Sequence, residues 1–469
     1  MFSESEFTVI VGAGPTGLTL ARELQRRQVP FRLLEKSPAP FEGSRGKGLQ
    51  PRSLEVLDDL GLLPDFLAVG SEYPPLLIHL PDGTTTTRRM DEHHEPTASV
   101  PYPNSLMVPQ WRTGQLLAQG LPIEFGVGVE ALAQDERGVH LTLEDGEHLT
   151  ARYVVGADGG RSTVRRALGV GFEGETHESE QLFIADVKLT GLGRDSWHIW
   201  PDADGRSMRL GLCPLAGTDD FQLYSPDMDA SVEELVASAD PSITVTHVGW
   251  TSRWRANIRM ASRFRVGNVF LAGDAAHVHP PAGGQGLNTG IQDAYNLGWK
   301  LAAAREGDGA LLDTYEAERL PVAAAVLGIS TQLYGRAVRR QDDALRRDDP
   351  VLKQLSLTYR EGPLACEHRT EPGLLQAGDR APDAPLHDGR RVFDLLRGPH
   401  ATLLAIGWEG ELPELGIPAH RIDEAREIYD GEGLFLVRPD NYLGCVTSSV
   451  EDITAYLKQI GLISGPETA

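Results

Sequence analysis

The chain has 469 residues, of which 41% are hydrophobic and 24% are charged, and its formal net charge is −23 at pH 7. This length is enough for about three domains, and the composition is that of a globular protein. The negative charge disfavours nucleic acid and anionic membranes as partners. No apolar run approaches the ~18 residues of a membrane helix, and the start of the chain is acidic rather than basic, so we predict a cytoplasmic protein.

The cysteines also restrict the possibilities. Cys213, Cys366 and Cys445 are widely spaced and form no C-x-x-C pair. The sequence therefore predicts neither a disulfide framework nor a zinc site, and no metal is expected.

The first chemical motif is a G-x-G-x-x-G turn made by Gly12, Gly14 and Gly17. It follows a short apolar strand at residues 8–11 and precedes a segment with helical periodicity. Glycines in this context permit a tight turn, close approach of a pyrophosphate and close packing of the helix on its strand. A second apolar strand ends at Glu35, where a carboxylate can accept hydrogen bonds from ribose hydroxyls. These features predict a bound dinucleotide, and the alternative is a glycine-rich turn that binds nothing.

A second glycine-rich region lies beyond the middle of the chain. Gly273 and Asp274 follow an apolar strand, and a proline- and glycine-rich turn follows at residues 280–288. Backbone N–H groups at a glycine-rich helix start favour negative charge, such as that on the edge of a reduced flavin ring. With the first motif, this pattern predicts FAD; the alternative is a loop that only packs.

The order of the elements predicts an α/β protein with a Rossmann-like FAD-binding domain that is interrupted by a β-sheet domain for the substrate. We assign residues 1–72, 108–175 and 262–345 to the FAD-binding domain, 73–107 and 176–261 to the substrate domain, 346–376 to a linker or helix, and 377–469 to a third α/β domain. An insertion of this kind places a substrate pocket at the interface of the two domains. Long helices are expected at residues 293–305 and 311–341.

Three separated motifs resemble those of the para-hydroxybenzoate hydroxylase-like (class A) flavin monooxygenases, in particular the aromatic polyketide hydroxylase and rifampicin monooxygenase type. They are the turn at Gly12, the pair Asp158-Gly159, and Gly273-Asp274 with the turn at 280–288. The resemblance covers about the whole chain. It implies that residues 377–469 form a thioredoxin-like domain with residues 436–440 as its last strand. Cys445 is alone in that domain, so no dithiol chemistry is expected.

The resemblance also implies roles for individual residues. The positions assigned to the cofactor are Gly12, Gly14, Pro15, Thr16, Gly17, Glu35, Lys36, Arg45, Gln110, Asp158, Gly159, Gly273, Asp274, Pro281, Gly284, Gly286, Leu287 and Asn288. Glu35 would bind the adenosine ribose, Asp274 the ribityl hydroxyls, and Asp158 belongs to a motif linked to FAD and NADPH. Arg45, Pro280 and Gly283 are the candidates for catalysis, with Arg45 linked to movement of the flavin.

Candidate substrate residues come from the inserted domain and the turn: Trp197, Trp200, Arg209, Phe221 and Pro280. Aromatic planes there could stack on a polycyclic substrate, and the alternative is that each tryptophan is a core residue. His277 and His279 could act as a base, with packing or hydrogen bonding as the alternative.

The implied activity is a monooxygenase that uses FAD, NADPH or NADH, and O2 to hydroxylate a phenolic or polyketide substrate through a flavin C4a-hydroperoxide. The cofactor carries that chemistry, so few catalytic residues are required. Baeyer–Villiger oxygenation, an oxidase or reductase without oxygen transfer, and a non-catalytic FAD-binding scaffold remain alternatives. The sequence leaves open the substrate, a role in antibiotic biosynthesis or drug inactivation, and the oligomeric state, for which a homodimer is one option.

Overall fold

The computed structural model describes residues 7–204, 208–279, 283–304, 309–338 and 349–463. In these ranges the helices are α1 (Pro15–Arg26), α2 (Pro51–Asp59), α3 (Leu63–Val69), α4 (Gln110–Ala118), α5 (Thr163–Ala167), α6 (Val232–Ala239), α7 (Gly286–Ala303), α8 (Asp313–Val338), α9 (Val392–Leu396) and α10 (Val450–Gln459). The strands are β1 (Thr8–Val11), β2 (Phe31–Glu35), β3 (Gly48–Leu49), β4 (Leu76–His79), β5 (Thr85–Arg88), β6 (Leu106–Met107), β7 (Ile123–Phe125), β8 (Val129–Asp135), β9 (Gly138–Leu143), β10 (His148–Ala151), β11 (Tyr153–Gly156), β12 (Phe172–Thr190), β13 (Trp197–Pro201), β14 (Met208–Pro214), β15 (Asp220–Ser225), β16 (Thr244–Ala261), β17 (Arg265–Val266), β18 (Val269–Leu271), β19 (His277–Val278), β20 (Cys366–Glu367), β21 (Thr402–Ile406), β22 (Ala419–Arg421), β23 (Gly433–Val437) and β24 (Leu443–Thr447).

The first sheet has the strand order β17-β18-β11-β1-β2-β7, and its strands from β18 to β7 are parallel. All residues of β1, β11 and β18 are buried, as expected for apolar strands covered on both faces. Because β1, β11 and β18 are adjacent and parallel, the segments that follow them meet at one edge of the sheet. The three motifs, which begin at Gly12, Asp158 and Gly273, follow these strands, so the fold brings them together.

The second sheet has eight strands in the order β19-β16-β12-β15-β14-β13-β4-β5. Its longest strands are β12 with 19 residues and β16 with 18, which pair antiparallel along their length. The predicted excursion at residues 73–107 supplies β4 and β5. One face of the sheet packs its apolar side chains, including Ala185, Leu212 and Leu223, with Leu235 of α6.

The third sheet has the order β20-β24-β23-β21-β22 and forms the C-terminal α/β unit. The expectation that residues 436–440 form the last strand is wrong, because β23 ends at Val437 and β24 follows it. Asn441 adopts a left-handed φ of 60° in the turn between them, and the chain reverses there. The α/β fold class is confirmed.

Two boundaries differ from those predicted. The third sheet includes β20, which precedes the predicted domain start at residue 377 and places Cys366 opposite Cys445 on β24. Helix α7 begins at Gly286, earlier than the predicted residue 293, because the glycine-rich turn forms its first turn. The end of the second long helix, predicted at residue 341, lies outside the described residues.

Buried charges join the C-terminal unit to α7 and α8. Arg438 donates to both carboxylate oxygens of Glu318 at 2.6 and 2.9 Å, and Lys300 donates to Glu318 at 2.7 Å. Asp440 accepts from Arg438 at 2.6 Å and from Asn296 at 3.2 Å. The side chains of Lys300, Glu318 and Arg438 are completely buried. The C-terminal unit is therefore attached through a polar interior rather than through an apolar surface alone.

Candidate functional site

The glycine-rich turn after β1 has the geometry that its sequence predicts. Gly12 has a φ of 104°, and a Cβ atom there would lie 2.5 Å from the carbonyl oxygen of Ala157. A Cβ on Gly17 would lie 2.0 Å from the Gly12 carbonyl oxygen, whereas one on Gly14 would meet nothing within 4 Å. Gly12 and Gly17 thus permit close packing, and the space beside Gly14 leaves room for a phosphate at the start of α1.

Glu35 is placed at the end of β2, beside the turn. Its carboxylate accepts hydrogen bonds from the backbone N–H groups of Ala13 and Ser37, each at 2.8 Å. These bonds hold the turn against the strand, while the proposed bond to ribose stays a prediction. Lys36 points elsewhere, because its amine pairs with Glu144 at 2.5 Å.

The first and last motifs touch at Thr16, which follows Pro15 in the first turn of α1. A Cβ on Gly273 would lie 2.4 Å from Thr16 Oγ1, and so would a Cβ on Gly290 of α7. Both glycines are needed because α1, α7 and the turn after β18 meet with no room for a methyl group.

Asp274 lies next to this contact and has an exposed side chain. Burial of the site raises the pKa of the Asp274 carboxyl, while His277 and Arg45 oppose the shift. The Asp274 carboxyl is thus reachable from solvent while Arg45 and His277 lie near it, and we call the space in front of it the cleft. Such a group can accept hydrogen bonds from sugar-like hydroxyls, so it fits the ribityl chain of FAD.

Asp293, which the sequence analysis did not identify, organises the interior behind Asp274. Its carboxylate binds Arg319 Nε and His277 Nε2, each at 2.7 Å, and the backbone N–H of Gly273 at 3.0 Å. His277 Nδ1 lies 3.0 Å from His279 Nε2. His277 is completely buried, so these contacts support its packing and hydrogen-bonding role. An aspartate within a helix carries no local signal for such a role.

The predicted turn before α7 is described from Gly283 onward, and Pro280 and Pro281 lie outside the described residues. Gly283 and Gly284 have φ angles of 84° and 62°, which favour glycine. Gly286 is the first residue of α7. The turn therefore presents backbone N–H groups at the beginning of an 18-residue helix.

Asn288 connects this turn to the segment before α2. Its amide nitrogen donates to the carbonyl oxygens of Gly48 and Gly284 at 2.9 and 2.8 Å, and its oxygen accepts from the Gln50 N–H at 2.8 Å. Asn288 is fully buried. Its side chain thus fixes the distance between the two walls of the cleft.

The opposite wall contains Gly46, whose N–H donates to Gln110 Oε1 at 2.9 Å. A Cβ on Gly46 would lie 3.5 Å from Leu287. Arg45 is exposed beside this contact, and its guanidinium lies 5.9 Å from the ring centre of Trp250. The structure therefore brings Arg45, Gln110 and Leu287 together around Gly46, and Arg45 is also near enough to Asp274 to oppose the rise in the pKa of its carboxyl.

Asp158 has a clear structural role. It accepts hydrogen bonds from the Ser162 hydroxyl at 2.5 Å and from the Thr163 N–H at 2.7 Å, at the start of α5. Gly159 has a φ of 79° in the turn between them. These contacts shape the loop at the sheet edge, and direct contacts of Asp158 with FAD or NADPH stay predictions.

The substrate candidates divide between the two faces of the eight-stranded sheet. Trp200 and Phe221 are 6% and 1% exposed and belong to the core formed with α6. Trp200 stacks on His79 with a centroid distance of 4.3 Å. Arg209 donates to the Ser238 carbonyl at 3.0 Å, at the end of α6. These three side chains pack away from the cleft, so the core alternative holds for Trp200, and Phe221 is a core residue as well.

Trp197 lies on the other face, which is directed toward the cleft. Its ring centre is 4.1 Å from Lys47 Nζ and 5.7 Å from the Tyr224 ring. Asp186 and Gln222 lie opposite each other on the neighbouring strands of this face. The sequence analysis did not identify Asp186, Gln222 and Tyr224, and it did not place Lys47 against them, because their common face appears only when the strand register is known.

Comparison with known proteins agrees with this geometry. Residues 6–330 match the family described as an FAD binding domain. The chain is also 45% identical to a flavin-dependent monooxygenase of Mycobacteroides abscessus, with 96% of this chain and 99% of the relative covered. The chain belongs to the flavin-dependent monooxygenases. The predicted family, the enzyme class and the FAD cofactor are thereby confirmed.

Two more members of the family resemble this chain along most of its length. A rifampicin monooxygenase from Streptomyces venezuelae is 38% identical, with 93% of this chain and 94% of the relative covered. An anhydrotetracycline hydroxylase from Streptomyces rimosus is 31% identical and has a TM-score of 0.77, with 98% and 99% of the two chains covered. Family members of this type oxygenate aromatic compounds. Among the described residues, no helix combines the length and apolarity needed to cross a bilayer.

Proposed function

We propose that this protein uses FAD, with NADPH or NADH as electron donor, to transfer one atom of O2 to a fused-ring phenolic or polyketide-like substrate. When bound, FAD would supply the redox chemistry and the activated oxygen. The C4a-hydroperoxide route that the resemblance implies forms part of this proposal. The named activities of the relatives support the substrate class.

The observation that carries the proposal is the position of the cleft. The three motif segments meet at the carboxyl edge of the parallel sheet, and Asn288 joins the glycine turn to the segment at residues 46–50. Lys47 of the same segment contacts Trp197, which lies on the face of the eight-stranded sheet opposite the core with α6. A ring held against that face would therefore lie beside the cofactor, where water could be excluded.

The test is product analysis under labelled oxygen gas. The purified protein would be incubated with NADPH or NADH and with rifampicin, anhydrotetracycline and simple phenols. A product that carries one labelled oxygen is the expected result, and fragmentation separates a new hydroxyl group from an ester or lactone oxygen. Consumption of NADPH with labelled hydrogen peroxide as the sole oxygen product would contradict the proposal and favour an oxidase.

The cofactor part of the proposal has its own test in Asp274→Ala. Loss of a carboxylate that binds ribityl hydroxyls should weaken FAD binding roughly 10- to 100-fold. Asp229→Ala, which removes an exposed carboxylate in the loop before α6, is the matched control. Fluorescence titration with FAD gives both affinities, and equal affinities would remove Asp274 from the site.

A further inference from the structure

The face of the eight-stranded sheet that lies toward the cleft carries a polar cluster, which we call the Lys47 cluster: Lys47, Asp186 and Gln222, with Trp197 and Tyr224 as aromatic walls. Asp186 pairs with Gln222 across β12 and β15, and Gln222 pairs with Cys213 across β15 and β14. Directly paired residues share a face of a sheet. The three strands therefore place these side chains in one row.

Asp186 is buried in this row without an ion pair or a well-formed hydrogen bond. It is 6% exposed, its carboxylate oxygens make no hydrogen bond of ordinary geometry to the described residues, and Ser44 is the neighbour whose hydroxyl and N–H lie near enough to lower its pKa. Burial raises the pKa of Asp186 to about 6, with Asp220 adding to the shift and with Ser44 and Lys47 opposing it. A buried, unpaired carboxylate is costly, so its presence beside a cleft indicates a use.

Lys47 supplies the complementary charge. Its amine donates to Gln222 Oε1 and lies 4.1 Å from the Trp197 ring centre and 5.5 Å from that of Tyr224. Burial lowers the pKa of Lys47, while Cys213 and Asp186 oppose the shift. No hydrogen bond joins Lys47 to Asp186 directly. An ammonium has three donors, and so Lys47 can bind an additional acceptor.

The backbone locates this cluster next to the cofactor cleft. The Lys47 carbonyl accepts from the Val108 N–H at 2.9 Å, and the next carbonyl, that of Gly48, accepts from Asn288 at 2.9 Å. Gln222 also donates to the Ser44 carbonyl. The segment that forms one wall of the cleft is thus bound directly to the sheet face that carries Asp186.

We propose that Lys47 and Asp186 form a subsite for an acidic hydroxyl of the substrate, a phenol or an enol on a fused ring system. The substrate O–H bond breaks and its proton bonds to a carboxylate oxygen of Asp186. The electron pair stays on the substrate oxygen, whose negative charge is stabilised by the Lys47 ammonium. Trp197 and Tyr224 flank the ring. An ionised ring is richer in electrons, which favours the oxygen transfer of the proposed function on which this inference rests.

Anhydrotetracycline is the probe for this subsite, because it has phenol and enol groups on fused rings and absorbs differently when ionised. It would be titrated into FAD-loaded protein without NADPH. The pH is above the Asp186 pKa of about 6, at a value where the free probe still holds the hydroxyl proton that Asp186 would accept. The variants are Lys47→Met and Asp186→Asn. Their matched controls are Lys188→Met on β12 and Asp219→Asn before β15, both of which alter exposed residues.

Two quantities are measured. The first is affinity: Lys47→Met should bind the probe roughly 10- to 100-fold more weakly, and Lys47→Arg should restore most of the affinity. The second is the number of protons released, obtained from binding enthalpies in buffers with different ionisation enthalpies. The wild type should bind the ionised probe and release close to no protons to the buffer, because Asp186 accepts the proton that the probe loses. Asp186→Asn cannot accept it and should release close to one proton for each probe molecule bound. A merely structural role for Asp186 would not change this count.

Several results would overturn the subsite. They are absence of probe binding to the wild type, binding of the probe in its neutral form, and variants that behave like the two controls. If Lys47→Met does not retain FAD, Lys47→Gln takes its place in the same comparison. The proton count also separates Asp186 from the other titratable groups near it, which are Lys47, Cys213, Asp220 and Tyr224.

The outcome is independent of the oxygenation test. Labelled product from a wild type whose bound probe remains neutral would disprove the subsite and keep the proposed function. An ionised bound probe without any oxygenated product would support the subsite and disprove the proposed function.

Discussion

Asp293 is a single buried residue that anchors the Gly273 turn of the candidate cofactor site. It joins α7 to Arg319 of α8, to His277 and to the backbone of Gly273, next to Asp274. Burial alone would raise the pKa of Asp293, but Arg319 and His277 hold it well below the usual range. Its contribution to stability is therefore present above about pH 4 and is lost as the pH falls below that value.

Asp293→Asn should lower the free energy of unfolding by about 3–5 kcal/mol, since it leaves the Arg319 charge buried without its partner. FAD affinity should fall as well, because the Gly273 turn loses an anchor. The matched control is Asp313→Asn, which removes an exposed ion pair with Arg265 and should cost less than about 1 kcal/mol. Chemical unfolding of both variants checks the difference, and equal losses would contradict this role.

His279 should make the protein sensitive to mild acid. Burial, and secondly the neighbouring His277, lowers the pKa of His279 to about 3. Between that value and about 6.5, the unfolded chain binds a proton that the folded chain does not, so stability falls as the pH falls. His279→Gln should therefore lose less thermal stability than the wild type between pH 7 and pH 5. If the melting temperatures of the variant and the wild type fell by the same amount between pH 7 and pH 5, this contribution would be disproved.

At the scale of elements, the contact of α1 with α7 controls the position of the cofactor motifs. A Cβ on Gly298 of α7 would lie 2.4 Å from the Cβ of Glu23 on α1. Glu23 is fully buried and pairs with Arg26 and Arg27, so it has little freedom to move. The helices can approach this closely only with glycine at position 298.

Gly298→Ala should destabilise the protein by about 1–3 kcal/mol, because the added methyl group forces the helices apart. Gly328→Ala in α8 is the matched control, since a Cβ there meets nothing within 4 Å. The control should be neutral or stabilising by up to about 1 kcal/mol, as alanine favours a helix. Chemical denaturation tests the pair, and a stable Gly298→Ala variant would show that α7 can shift.

The sequence predicted the elements that depend on local chemistry and missed those that depend on register. Gly12, Gly273 and Gly283 were predictable, because positive φ angles and close contacts require glycine wherever they occur. Trp197 and Trp200 were not separable, since alternation assigns them to opposite faces without showing which face meets α6. The sequence could offer Lys47 only as a basic residue for an anionic cofactor, because only tertiary structure buries it between two aromatic rings.

At the scale of the molecule, the C-terminal unit is bound to the rest through buried charges. Glu318 of α8 pairs with Arg438 and Lys300, and Asp440 completes the group. The unit is a separate sheet by topology, but its removal would leave Glu318 and Lys300 without Arg438 and Asp440. We therefore expect the C-terminal unit and the FAD-binding domain to unfold together.

Arg438→Met should lower the free energy of unfolding by about 3–5 kcal/mol, and flavin release should coincide with loss of the C-terminal unit. Arg426→Met removes an exposed partner of Glu432 in the same unit and should cost less than about 1 kcal/mol. Flavin fluorescence and far-UV circular dichroism would follow the two processes during heating. Two separate transitions in the wild type would contradict the expected coupling.

The alternation of the eight-stranded sheet also bears on how such an enzyme could acquire new substrates. Along β12 and β15, Ala185, Leu223 and Phe221 belong to the core with α6, whereas Asp186 and Gln222 lie on the opposite face. Adjacent positions in the chain therefore have different surroundings. Substitutions at every second residue can change the face that carries Asp186 while the core is preserved, but a one-residue insertion would exchange the two sets. Evolution and directed engineering should both diversify this enzyme by replacing alternate residues rather than by lengthening its strands.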